Sequence, residues 1–266
     1  MAIDSSIELC RRYRRPLEIV WIRDNRQINA RFRDVFELSD RPEVALREAT
    51  LVDCIRYAPP SWRRNVRIPL AWQTLRFGFN RRSSIPNGLD IQRRRMIPSV
   101  FAMRERTVFL HAWWQIVPTT ERYAFFRPRS FLLSEIADLA SSFSTETTIG
   151  VHVRRGDHAQ AAARSPVEAF EFRMDALLAD GEASSFFLAT DDSGVRSRLA
   201  RRYGSRLRFR DGSSDRSTLA GMRGAVVDFW TLSRCSRVLA SSGSTFGTTA
   251  AVMGGVLCEV VETPPT

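Results

Sequence analysis

The chain has 266 residues, 44% of them hydrophobic and 26% charged, which allows a well-filled core in one large domain or two smaller ones. Its net charge is +11, yet all 40 basic residues are arginines spread along the whole sequence; that reads as a coding bias, not a nucleic-acid face, and no nucleic-acid-binding module stands out. With no apolar run of ~18 residues, no signal peptide, four scattered cysteines and three histidines, the composition points to a reduced, cytoplasmic protein without a metal site, in at most peripheral contact with a membrane surface.

In chain order, Ile3–Tyr13 has helical spacing and Pro16–Trp21 reads as a buried strand. Phe32, Val35 and Phe36 suggest a short helix. Residues 40 to 100 are weakly periodic, with loops marked by Pro59-Pro60, Arg81–Pro86 and Arg93–Arg95. Thr107–Trp114 is a further apolar run that predicts a strand, and Ser130–Phe143 an amphipathic helix.

From Thr147 the pattern sharpens. Strands are expected at 147–153, 185–190, 207–210, 237–241 and 255–261, alternating with helices to Ala179, at 193–203, at 221–235 and at 246–253. Ser165 and Pro166 read as an N-cap followed by the first helical residue. Such alternation predicts an α/β fold with a parallel, doubly wound sheet. The domain boundary is placed in the loop near residue 145, giving domains 1–145 and 146–266.

Three strand ends carry polar groups that such a sheet would bring to one edge. The first is His152, Arg154, Arg155 and Asp157, where two guanidinium groups suit a phosphate or pyrophosphate. The second is Asp191-Asp192, which alone would be a solvated turn. The third is Ser242-Gly243-Ser244-Thr245, either a plain N-cap or an anion site at a helix N-terminus. Asp228, in an apolar helical run, must find donors if buried. Walker, G-x-G-x-x-G and nucleophile-elbow motifs are absent. What remains is a site gripping a pyrophosphate through arginine and a helix N-terminus, which fits nucleotide-sugar transfer.

The stretch Gly150-Val-His-Val-Arg-Arg-Gly-Asp157 resembles the signature of the GDP-fucose-dependent fucosyltransferases. Phe187–Asp192, Arg223–Asp228 with Leu232-Ser233, and Ser241–Phe246 resemble the α1,6 branch, which includes the nodulation fucosyltransferase, in order and spacing over 147–255. The resemblance implies a GT-B-like pair of Rossmann-type domains, an acceptor-side one first and a GDP-fucose-binding one second. It also implies inverting, metal-independent transfer of fucose to a glycan or glycolipid acceptor, with no cofactor besides the donor. By position Arg154 would hold the β-phosphate as the essential residue, with Arg155 supporting it. His152 and Asp228 would recognise guanine and ribose, Ser244 and Thr245 would contact the phosphates, and Asp191 and Asp192 would line the site.

Two features depart from the family. The glutamate that serves the animal α1,6 enzymes as acceptor-side base has no counterpart in His158–Ala163, leaving Asp157 and His158 as candidate bases. The first strand and glycine-rich loop of the family are also missing from the N-terminal domain. The start then lies upstream of Met1, or part of the acceptor-side domain is absent. The competing readings are a non-catalytic nucleotide-sugar-binding module, a transferase for another nucleotide sugar, and an arginine-rich surface binder. Oligomeric state is not encoded in any pattern of the chain.

Overall fold

The computed structural model describes residues 2–23, 28–38, 44–53, 115–117, 119, 123, 125–156 and 159–263. The strand expected at 107–114, the loops expected between 59 and 95, and Asp157 and His158 lie outside them. In chain order the described elements are α1 (Ala2–Arg12), β1 (Leu17–Trp21), α2 (Phe32–Val35), β2 (Phe36–Leu38), β3 (Val44–Glu48), β4 (Phe126–Pro128), α3 (Ser130–Ser141) and β5 (Thr148–Val153). They continue with α4 (Ala159–Arg164), α5 (Val167–Ala179), β6 (Ser185–Thr190), α6 (Ser193–Tyr203), β7 (Leu207–Phe209), α7 (Leu219–Leu232), β8 (Arg237–Ser241), α8 (Thr245–Gly254) and β9 (Leu257–Val261).

The chain divides into two compact units, Met1–Asp24 with Glu37–Arg127, and Asn25–Phe36 with Pro128–Thr266. In the first, β1 and β3 pair in parallel from Leu17 opposite Val44 to Trp21 opposite Glu48. Ile7 of α1 joins Ile19, Val44 and Phe125 in a small core. The hydroxyl of Ser5 accepts from the amides of Ile116 and Val117 and donates to the Val117 carbonyl, so a helix residue ties down a distant loop.

The second unit is built on a five-stranded parallel sheet of order β7-β6-β5-β8-β9. Strand β5 is buried at every residue, because it is central and covered on both faces. Ile149, Val151 and Val153 face Phe170, Met174 and Leu177 of α5 and Leu199 of α6. On the other face, Phe187 and Ala189 of β6 meet Leu232, Cys235 and Ala250. A Cβ on Gly150 would sit 2.9 Å from Leu232 Cδ2, so the close seating of α7 on β5 depends on that glycine.

The sequence-based boundary near 145 falls after α3. That helix belongs to the second unit, because its apolar stripe (Leu132 and Ile136) is covered by Met222, Val226 and Val227 of α7. The last of the changes of unit along the chain therefore comes at Pro128. A second difference concerns Ser165. Pro166, with extended backbone (ψ 155°), is the N-cap of α5, and Val167 is its first residue. The fully buried Ser165 hydroxyl instead accepts from the backbone amide of Ser242, a buried donor with a hydrogen bond to satisfy. Helix α4 has an Ala-rich sequence without apolar periodicity, so no pattern in the chain announces it.

No helix among the described residues is long and apolar enough to cross a membrane. Cys10, Cys235 and Cys258 are free thiols, and burial pushes the Cys235 thiol up to about 12.

Candidate active site

The strand order places β5 at the switch point: the chain proceeds outward through β6 to β7, then returns to β8 and β9 on the other side. The carboxyl ends of β5, β6 and β8 are neighbours, with Val153 opposite Thr190 and His152 opposite Ala240. Ligands of such sheets bind in the crevice beyond these ends. The residues that follow these strands therefore border that crevice.

His152 lies two residues beyond Gly150 on the face covered by α7 and α8. It is 5% exposed, and its ring stacks on Phe246 of α8 at 4.9 Å. Burial lowers its pKa to about 4, so the imidazole is neutral near pH 7, and Nδ1 makes no hydrogen bond among the described residues. Gly247 lets α8 come this close, since a Cβ there would be 3.1 Å from the His152 Cβ.

Arg154 leaves the end of β5 and pairs with Asp191 at 2.6 Å, both side chains being 17% exposed. Asp191 is the hub of this corner. It also accepts from the amides of Arg155 (2.8 Å) and Gly156 (3.2 Å), so one carboxylate fixes the turn after β5 and one of its arginines. Gly156 leaves room for this carboxylate, because a Cβ there would come within 2.8 Å of Asp191 Oδ2. The Arg154 amide donates to the hydroxyl of Ser241 at the end of β8.

The two adjacent arginines part company. The Arg155 guanidinium donates to the carbonyls of Ala162 and Ser165, bracing the segment between β5 and α5. Asp192 likewise has a local role as the N-cap of α6, accepting from the Val195 amide at 2.9 Å. Ser244 is the extended N-cap of α8 without a side-chain cap bond, following Gly243 at φ +70°, and Thr245 opens the helix. The first-turn amides of α8 thus open at the edge that carries Arg154, an arrangement that favours an anion.

Asp228 stands apart from this cluster. Its side chain is 13% exposed and its Oδ1 lies 3.4 Å from Nε of Arg210, the residue just past β7. Burial raises its pKa to about 6 against the lowering effect of Arg210 and Arg196. Its neighbour Phe229 joins the other group, packing edge-on to Phe246 at 5.2 Å.

The structure therefore gathers His152, Arg154, Asp191, Ser244 and Thr245 at one edge, turns Arg155 and Asp192 to local structural bonds, and pairs Asp228 with Arg210. Sequence reasoning missed Arg210 and the roles of Ser165, Ser241 and Phe246. Ser241 and Phe246 are the ends of a motif already singled out, whereas one arginine among forty carries no signal. Among the described residues no three of His, Cys, Asp or Glu gather as a metal-holding group.

No protein-family model matches the sequence, and no curated protein matches it. Solved structures do match. The NodZ α1,6-fucosyltransferase co-crystallised with GDP is 20% identical, with a TM-score of 0.60 over 94% of this chain and 86% of that one. The fucosyltransferase NodZ from Bradyrhizobium is 18% identical, with a TM-score of 0.58 over 94% and 87%. POFUT1 in its apo form is 10% identical, with a TM-score of 0.51 over 96% and 92%. At these identities the likeness establishes the fold: the chain has the GT-B-like α/β architecture of these fucosyltransferases.

Proposed function

We propose that the protein transfers fucose from GDP-fucose to a glycan hydroxyl by inverting, metal-independent displacement. The observation that carries this reading is Arg154, held by Asp191 at the end of the central strand beside the first turn of α8. A fold shared with an enzyme crystallised with GDP supports the choice of donor. So do the four sequence motifs, which fall on the ends of β5, β6 and β8 and on α7.

In this reading the acceptor oxygen forms a bond to the anomeric carbon of fucose as the bond from that carbon to the β-phosphate oxygen breaks. The electron pair of the broken bond stays on the diphosphate. Arg154 and the α8 amides, with Ser244 and Thr245, stabilise that growing charge, the service a metal provides in other transferases. Neutral His152 and Asp228 receive the guanine and ribose, and Asp191 fixes Arg154 for the phosphate. Arg155 supports the site by holding its backbone turn. The acceptor's proton passes to a base for which Asp157 and His158 are the candidates.

The test is calorimetric binding of GDP, with UDP and ADP as controls, to wild type and Arg154→Ala, together with release of GDP from GDP-fucose. GDP-selective binding that weakens tenfold or more in the variant is expected, the loss of a charge-assisted contact of roughly 1.5–3 kcal/mol. Absence of nucleotide preference, or indifference to the substitution, sinks the reading. Binding without turnover against any glycan acceptor would leave a nucleotide-sugar-binding module.

A further inference from the structure

Arg210 is a residue that no motif contains, yet the second unit is shaped around it. It is 9% exposed, although it directly follows an edge strand. Its Nη1 donates to the carbonyl of Asp211 and its Nη2 to that of Ser213. Two glycines make room for it. A Cβ on Gly224 of α7 would collide with its guanidinium, and one on Gly212 would stand 2.9 Å from Nη1. The Nε of the guanidinium faces Asp228 Oδ1 at 3.4 Å, and among the described residues neither atom makes a well-formed hydrogen bond.

The two atoms compensate each other's burial as a charge pair and not as a well-formed hydrogen bond. Nη1 and Nη2 of the same guanidinium, by contrast, each donate a 2.7 Å hydrogen bond to a backbone carbonyl. The backbone carbonyls thus anchor the Arg210 guanidinium while its Nε keeps a charge contact with Asp228.

We propose that Arg210 is the positioning residue for Asp228, holding its carboxylate ionised at the carboxyl edge of the sheet to accept the N–H and O–H donors of the donor nucleoside. This rests on the GDP-fucose reading above. The charged groups that act on Asp228 are Arg210 beyond β7, Arg196 on α6 and Glu135 on α3. Burial pushes Asp228 towards the protonated form, Glu135 adds to that push, and Arg210 is the foremost group opposing it. Without Arg210 the carboxyl group stays protonated to higher pH and loses acceptor strength towards the nucleoside.

The experiment combines two readouts on the full chain. The first is the titration of the Asp228 carboxyl carbon by NMR, assigned with Asp228→Asn. The second is GDP affinity by calorimetry across pH 5–8. Both are measured for wild type, Arg210→Met and Arg210→Lys, with melting curves to confirm folding, and Arg210→Lys carries the test if Arg210→Met does not fold. The expected result is an upward move of the Asp228 titration in Arg210→Met, partly reversed in Arg210→Lys. GDP affinity in Arg210→Met should fall at least tenfold near neutral pH, with its acid limb displaced to higher pH. In an Asp228→Asn background the same change should have little further effect. An unmoved Asp228 titration with GDP binding intact, or a loss of affinity that is uniform in pH and additive with Asp228→Asn, overturns the role of Arg210 alone. If wild type binds no GDP, the donor reading falls, and this role falls with it.

Discussion

The carboxyl edge of the sheet and the α5–α6 face of the same unit are both built from arginine–carboxylate pairs, and they are finished differently. On α5 and α6, Arg198 bonds Glu171 through two nitrogens and Glu168 through a third, while Arg202 bonds Asp175 in the open. Each pair there is exposed on at least one side, and none of its polar atoms is among the buried ones left without a hydrogen bond. Past β7, by contrast, Nε of Arg210 and Oδ1 of Asp228 are buried and meet without a well-formed hydrogen bond, and Nδ1 of His152, on the face covered by α7 and α8, has no partner among the described residues. In a chain whose only cation besides histidine is arginine, the presence of arginine distinguishes nothing. Burial of an incompletely bonded arginine–carboxylate pair does set Arg210 and Asp228 apart from the exposed pairs of α5 and α6, because such burial costs stability.

The comparison breaks most readily at Arg154. Arg154→Ala should lower turnover of GDP-fucose by about 10²–10³-fold, the usual effect of removing one donor to a developing anion. The measurement is initial-rate kinetics of GDP release, and a loss below threefold would put the edge on a par with the α5–α6 face.

Next in size is a pH effect from Asp228. Its folded pKa of about 6 lies above the ordinary 3.8, so the folded protein binds the extra proton between those values. The resulting stability is fully present below pH 4 and is lost as pH rises through 6, a change of about 3 kcal/mol for a displacement of that size. Denaturant titrations of wild type and Asp228→Asn should therefore diverge across pH 4–6, with wild type declining as pH rises. Parallel curves would mean that Asp228 carries no burial penalty.

A smaller effect separates Asp192 from Asp191. As an N-cap, Asp192→Ala should cost about 1 kcal/mol of stability, read as a lowered Tm. The least effect of all belongs to the α5–α6 face. Arg202→Ala removes a pair whose two side chains are 49% and 43% exposed, and should leave Tm within replicate error and GDP-fucose turnover unchanged.

Much of the second unit is legible in the chain itself. Strand 185–190 and helix 193–203 match their expected bounds to the residue, since continuous apolar strands between turn residues and helical spacing at Val195, Leu199 and Tyr203 leave little choice. The motif after β5 can be located but not apportioned. Arg154 and Arg155 are adjacent and chemically identical, yet one pairs with Asp191 at the edge and the other bonds carbonyls 7 and 10 residues away along the chain. Asp191 and Asp192 divide in the same way between a hub and a cap. The reach of Ser165 to Ser242, 77 residues distant, has no local signature at all.

The sequence by itself determined the α/β alternation, the parallel sheet and the edge at which the polar groups emerge. These follow from local periodicity and from the direction that parallel strands impose on their ends. Only the tertiary structure decided which of two neighbouring arginines and of two neighbouring aspartates serves the edge, where the units divide, and that Arg210 stands against Asp228. Those outcomes depend on burial and on the partners that distant segments bring. A buried donor or acceptor is committed by the geometry around it, not by its neighbours in the chain.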